Sequence, residues 1–202
     1  MPSIITHAAV PLALWCAADR GRIPSRLLAA GVIAAMLPDA DVLAFALHIP
    51  YTDAFGHRGA SHSLLFAGVL AALAAVLAFF GSHRPWSAVS CQPRLAPTKA
   101  RPTVASTVQA AVFVFVCAAS HPLLDAMTSG GLGVALAWPW SEHRFFAPWR
   151  PIRVSPFAPQ FFSARGVATL LSELRWVWLP LATAVVAWKL IQPAPAAPRD
   201  PS

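Results

Sequence analysis

Three histidines and an aspartate fall within two short strings, His57-Arg58-Gly59-Ala60-Ser61-His62-Ser63 and Ser120-His121-Pro122-Leu123-Leu124-Asp125. Thr6-His7 and Pro38-Asp39-Ala40-Asp41 add another histidine and two more aspartates, in a chain with only 7 His and 8 acidic residues. Each string sits where an apolar run meets polar sequence. Imidazoles and carboxylates without cysteine are the ligand set of zinc, and also of manganese or iron, in hydrolytic sites. A divalent ion held there acidifies bound water to a pKa of about 7, which makes a nucleophile available at neutral pH.

The spacings refine this. His121 and Asp125 are four apart, so on a helix they share a face with Cβ atoms about 5–6 Å apart, close enough to hold one ion. His57 and His62 are five apart, about 140° around a straight helix. They converge only if His57 lies in a loop, Gly59 turns the chain and Ser61 caps the following helix. Asp39 and Asp41 flank Ala40 after a proline, a turn that suits a hard or borderline cation. The expected ligands are therefore His7, Asp39, Asp41, His57, His62, His121 and Asp125, bound to one or two ions. Asp125 and Arg58 are the expected catalytic residues. Asp125 would bind the ion and orient its neighbours, and Arg58 could grip a phosphate or carboxylate oxygen with two parallel hydrogen bonds.

Plainer explanations stand beside each of these. His121 and Asp125 could form a capped helix end, Asp39 and Asp41 could cap the helix from Val42 onward, and Arg58 could meet a lipid headgroup. His7 alone reads as a core histidine. His48, His83, His143, Asp19, Asp53, Glu142 and Glu173 lack partners in sequence and read as surface or interface residues. No G-x-S-x-G string marks a serine nucleophile. The three cysteines are dispersed and suggest neither a disulfide framework nor a zinc finger.

The elements that must position these residues are apolar. Hydrophobic residues make up 57% of the chain and charged residues 11%, against about 25% charged in soluble domains. Five apolar runs cover residues 4–18, 27–37 (resuming over 42–49 after Pro38), 64–80, 104–119 and 174–191. The last three approach the ~20 residues of a spanning helix, and the first two are short. In a bilayer the backbone must satisfy itself, and no alternating pattern suggests a barrel. The expectation is an all-α integral membrane bundle of four or five helices, a single domain over residues 1–191 with a Pro/Ala-rich disordered tail at 192–202. The first run reads as a retained helix, since no Lys or Arg precedes it and it carries His7.

The net charge is +7, but the basic residues are scattered. That favours anionic headgroups over nucleic acid as the partner. The loops 19–26 and 81–103 are basic, and the second contains no acid; both are expected in the cytoplasm. Threading the helices between them as hairpins places all four motifs on the opposite, periplasmic face of a multi-pass inner membrane protein.

Together, these strings with Thr128-Ser129-Gly130-Gly131 and Phe146-Ala147-Pro148-Trp149-Arg150-Pro151-Ile152 resemble the YdjM/YbcI family of membrane-bound, metal-dependent hydrolases, over residues 1–160. The resemblance implies a helical inner membrane protein with metal-dependent hydrolase activity. More distantly, the order His, Asp, His, His-x-x-x-Asp is similar to that of the zinc phospholipase C and P1 nuclease group, which implies a phosphoester, including a lipid phosphoester, as substrate. His7, Asp39 or Asp41, His62, His121 and Asp125 match that order. The later His…His-x-x-x-Glu ligands have no counterpart here, so one or two ions are expected rather than three. Two other functions use the same residues: an ion-handling or transport path, and a noncatalytic membrane partner with a closed structural metal site.

Overall fold

The computed structural model describes residues 1–18, 22–81, 103–156 and 160–192. Among these residues the fold is all-helical, with no strands beyond two isolated bridges. The helices are α1 (Ile4–Ala17), α2 (Ser25–Ala46), α3 (Leu64–Gly81), α4 (Val104–Ala126) and α5 (Ala164–Ile191). Helices α2, α4 and α5 are long and apolar enough to cross a membrane, while the apolar parts of α1 and α3 are shorter. The basic loop and the tail expected from sequence lie outside the described residues over 82–102 and 193–202.

The second apolar run continues through Pro38 instead of ending there. Ser25–Met36 is α-helical, Leu37–Val42 tightens into a 3₁₀ turn with proline in its first turn, and Leu43–Ala46 resumes the α-helix. Proline lacks an N–H, so the continuous helix loses one hydrogen bond to the preceding turn here, and the chain tightens into 3₁₀ geometry at that point. The tighter turn rotates successive residues by about 120°. Asp39 and Asp41 therefore point in different directions.

Helix α4 starts with a capping box in which Thr103 and Ser106 bond each other's backbone N–H. It packs against α2 and α3 through small residues, Ala34, Ala35, Ala67, Cys117, Ala118 and Ala119, around Phe113 and Val114. Small residues let apolar helices approach closely where lipid offers no hydrophobic drive. Gly31 sets the limit, because a Cβ there would lie 2.4 Å from Cε1 of Phe113. The outward faces carry exposed apolar side chains, such as Leu73 and Leu77 of α3 and Val186 and Leu190 of α5, as a lipid-facing surface requires.

Helix α5 begins ten residues before its apolar run, in the amphipathic segment Ala164–Glu173, and passes through a π-helical turn at Leu174–Trp178. It packs on α1. Glu173, a surface residue by the sequence reading, is 1% exposed. Its carboxylate accepts the backbone N–H and the hydroxyl of Ser3 and, at 2.7 Å, the hydroxyl of Thr6. Trp178 donates its indole N–H to the same Thr6 hydroxyl. Charge-assisted hydrogen bonds of this kind are about twice as strong as neutral ones. They tie α5 to the turn that carries His7.

Candidate metal centre

The four motifs meet in one buried cluster. Asp39 from the 3₁₀ turn of α2, His62 from a short turn before α3, and His121 and Asp125 from one face of α4 each offer a ligand atom, all within 4.8 Å of one another. His62, His121 and Asp125 have no solvent exposure, and Asp39 is 3% exposed.

Hydrogen bonding outside the cluster aims each ring inward. Nδ1 of His121 donates to the carbonyl of Ala35 at 2.7 Å. A carbonyl only accepts, so Nε2 of a neutral His121 carries the lone pair. Nδ1 of His62 lies 3.0 Å from Oδ2 of Asp41, which likewise leaves the His62 Nε2 lone pair facing inward. The two Nε2 atoms are 3.0 Å apart. Around them, Oδ1 of Asp39 is 3.5 Å from His121 Nε2 and 4.0 Å from His62 Nε2, and Oδ2 of Asp125 is 3.3 Å from His62 Nε2. All four carboxylate oxygens of Asp39 and Asp125 are buried without a hydrogen bond. Two lone pairs and two carboxylates facing one another, deep in an apolar protein and with Arg58 pairing only one of the four oxygens, can hold a cation between them. The residues fit a divalent ion.

His7 borders the cluster on the far side of both carboxylates. Its Nε2 is 3.6 Å from Oδ2 of Asp39 and 3.6 Å from Oδ1 of Asp125, and neither ring nitrogen has a hydrogen bond. Its ring stacks on that of His121 with centroids 3.7 Å apart. Each carboxylate thus turns one oxygen toward the His62–His121 pair and the other toward His7.

Asp41 and His57 stand outside the group of four. The Asp41 carboxylate binds Nδ1 of His57 through Oδ1. Through Oδ2 it takes the backbone N–H of Arg58 (2.9 Å), the hydroxyl of Ser61 (2.7 Å) and Nδ1 of His62 (3.0 Å). It acts as the orienting carboxylate that metal-binding histidines commonly have. His57 sits edge-on to the rings of Tyr51 and His62. The sequence offers Ser61 or Ser63 as the helix cap, and Ser63 fills that place: its hydroxyl accepts the backbone N–H of Phe66 at 3.1 Å.

Arg58 is 1% exposed and adopts a positive φ of 61°. Its guanidinium donates to the carbonyl of Gly130 and the hydroxyl of Thr128, both at 3.1 Å, and places Nε 3.0 Å from Oδ2 of Asp125. The Thr128 hydroxyl donates in turn to the Asp125 carbonyl at 2.7 Å. Gly131, with φ of 89°, makes this possible, because a Cβ there would sit 2.7 Å from Nη1 of Arg58. Arg58 therefore pairs with the Asp125 oxygen that faces His62 rather than facing an open cleft. Arg144 plays a similar part, donating to the carbonyls of His57, Tyr51 and Asp53 at 3.0 Å each. No local sequence signal marks Arg144 or Glu173, since their partners are scattered along the chain.

Burial disfavours the imidazolium of His62, but the carboxylates of Asp125 and Asp41 outweigh it and raise the His62 pKa from 6.5 to about 9. Without a metal, a proton takes the place between His62 and Asp125. Metal uptake must then release that proton, so metal affinity should rise with pH up to about 9 and weaken on acidification. Because the folded pKa is raised, the contribution to metal-free stability is fully present below the unfolded value of about 6.5 and is lost as pH rises through about 9. Metal titrations at several pH values, with thermal melts of the metal-free protein, check both trends. A metal affinity independent of pH between 6 and 9 would contradict this.

The fold and the cluster define a class: a helical membrane protein with a buried His/Asp centre able to hold a metal ion. The chain belongs to the YdjM inner membrane protein family, whose model matches residues 1–196. It is 45% identical over 181 residues to inner membrane protein YbcI of Escherichia coli (strain K12), covering 89% of this chain and 92% of that protein. No solved structure matches. Membership of an inner membrane family agrees with the three helices long enough to cross a bilayer.

Proposed function

We propose that this protein is a membrane-embedded, metal-dependent hydrolase acting on a phosphoester, with zinc as the preferred ion. The observation that carries this reading is the pair of aspartates whose four oxygens lack hydrogen bonds while facing the inward nitrogens of His7, His62 and His121. His62, His121, Asp39 and Asp125 would hold one ion. The opposite carboxylate oxygens and His7 offer a place for a second. A bound divalent ion supplies Lewis acidity and an acidified water. The chain's own residues do the rest. Asp41 fixes the tautomer and direction of His62, Ala35 does so for His121, and Arg58 keeps Asp125 turned toward the centre.

The test is hydrolysis of a panel of phosphodiesters, phosphomonoesters and phospholipids by purified, metal-loaded protein. The expected result is chelator-sensitive turnover of at least one phosphoester class. A second reading, a noncatalytic protein with a structural metal, is favoured by the near-complete burial of all four ligands, since structural sites are closed and catalytic ones keep an open position. Metal retained without turnover of any member of the panel and without an exchangeable water would select it.

We also place the centre on the periplasmic side, because the loop 81–103 is basic and acid-free. Cysteines introduced into that loop should resist membrane-impermeant reagents in intact cells. Efficient labelling with a sealed membrane would put the centre on the cytoplasmic side.

A further inference from the structure

We propose that the cleft beside the centre receives an acyl chain of a phospholipid, so that the substrate enters sideways from the bilayer rather than from water. This rests on the hydrolase reading above and names the substrate class of the same site.

The cleft has a volume of about 330 Å³ and lies between the 3₁₀ turn of α2, the loop before α3 and the first turn of α3. Its walls are apolar: Leu37, Pro38, Phe55, Ala60 and Phe66. Ligand pockets run from about 300 to 1,000 Å³. This one suits a single hydrocarbon chain better than a whole polar substrate. Two polar residues interrupt it, Asp41 and Ser61. Both contact His62, Asp41 through Nδ1 at 3.0 Å and Ser61 through the same nitrogen at 3.0 Å. The cleft thus ends against the residues that hold a ligand of the centre. The Asp41 carboxylate is already occupied by four donors, so it does not present a bare negative charge to a phosphate.

The surroundings identify the medium that fills the cleft. Leu37 and Phe55 of its lining are 40% and 67% exposed. They continue the exposed apolar surface of α2 and α3, which would face lipid. Phe55 packs edge-on to Trp138 with centroids 5.9 Å apart, and tryptophan favours the headgroup level. The ligands themselves are enclosed, none being more than 3% exposed. The other cavity near the loops, about 10 Å³ beside Thr52 and Trp138, holds no more than a water. A chain lying in the cleft leaves its phosphate at the polar end, against Asp41 and Ser61, which hold His62 behind them.

The test uses the full-length, metal-loaded protein in phosphatidylcholine nanodiscs with phosphatidylglycerol carrying a diazirine on one acyl chain. Crosslinks should concentrate on Phe55 and Phe66. They should fall about tenfold in Ala40→Trp, which narrows the cleft from an exposed position on its wall, and stay unchanged in Val76→Trp on the outer face of α3. Excess unlabelled phosphatidylglycerol should compete, and excess diacylglycerol, which lacks the phosphate, should not. Equal labelling of the cleft and of the outer face of α3, or labelling indifferent to Ala40→Trp, overturns the proposal. So does competition by diacylglycerol as strong as that by the phospholipid. Hydrolysis is read in parallel with a soluble chromogenic phosphodiester. Specific labelling of the cleft with neither lipid nor soluble ester consumed supports the lipid site and removes the hydrolase reading alone.

Discussion

Asp39→Asn and Asp125→Asn should each empty the metal centre, and they should move metal-free stability in opposite directions. Each carboxylate contributes a negative charge to the space between His62 and His121, and a neutral amide is a poorer ligand. The loss should exceed the ~10–100-fold drop in affinity that follows removal of a merely supporting partner, with a comparable loss of metal-dependent turnover. Stability separates the two variants. Both oxygens of Asp39 are buried without a hydrogen bond, so without metal this charge is a liability, and Asp39→Asn should raise the metal-free melting temperature. Asp125 faces the guanidinium of Arg58 at 3.0 Å. Removing its charge leaves a buried cation unpaired, which typically costs about 3–5 kcal/mol. Metal content and thermal melts in detergent, with and without added metal, check both. Wild-type metal affinity in either variant would contradict the ligand assignment.

Asp41→Asn should show a different pattern. Asp41 touches no other carboxylate of the cluster but directs His62 and His57 through their Nδ1 atoms. An amide in its place keeps the volume but weakens the hold on the tautomer that aims Nε2 of His62 inward. Metal affinity should fall about 10–100-fold while the site still fills at high metal concentration. Ser61→Ala, which removes one neutral donor to the same carboxylate, should cost only about 1 kcal/mol. The measurement is metal retained during titration with a competing chelator. An Asp41→Asn variant that loses metal as completely as Asp125→Asn would make Asp41 a direct ligand.

Much of this centre was legible in the sequence because sparse polar residues in an apolar chain stand out. That His62, His121 and Asp125 come together could be read from their types and spacing, and the nearness of His7 from threading the helices as hairpins onto one face. The different roles of Asp39 and Asp41 could not be read, because residues two apart lie on different faces of any helix and nothing local says which face meets His62 and His121. Pro38 looked like a break between two parts of the second run, yet α2 runs through it, giving up one helical hydrogen bond and tightening into a 3₁₀ turn. Ser61 and Ser63 both suit a cap, and only the approach of Asp41 decides between them. Arg58 resembled a substrate-gripping arginine. Its guanidinium is instead enclosed by Thr128, Gly130 and Asp125, contacts about 70 residues away in sequence that no local pattern announces. Glu173 escaped for the same reason: its partners Ser3 and Thr6 lie at the other end of the chain. The helical class needed less, because a composition this apolar leaves helices as the simplest way to satisfy the backbone in lipid.

The central claim, that Asp39, His62, His121 and Asp125 hold a metal ion, is tested most directly by the metal content of the detergent-purified protein, wild type beside His121→Ala. His121 donates Nδ1–H to the carbonyl of Ala35 and turns Nε2 into the centre. The substitution therefore removes a ligand and leaves the helix intact. The account predicts at least one equivalent of a divalent metal per wild-type chain, with zinc foremost, and a loss of that metal in a His121→Ala protein that still elutes and melts as a folded species. A wild-type chain that carries no metal and takes up none when zinc, manganese or iron is supplied at neutral to mildly alkaline pH would contradict it.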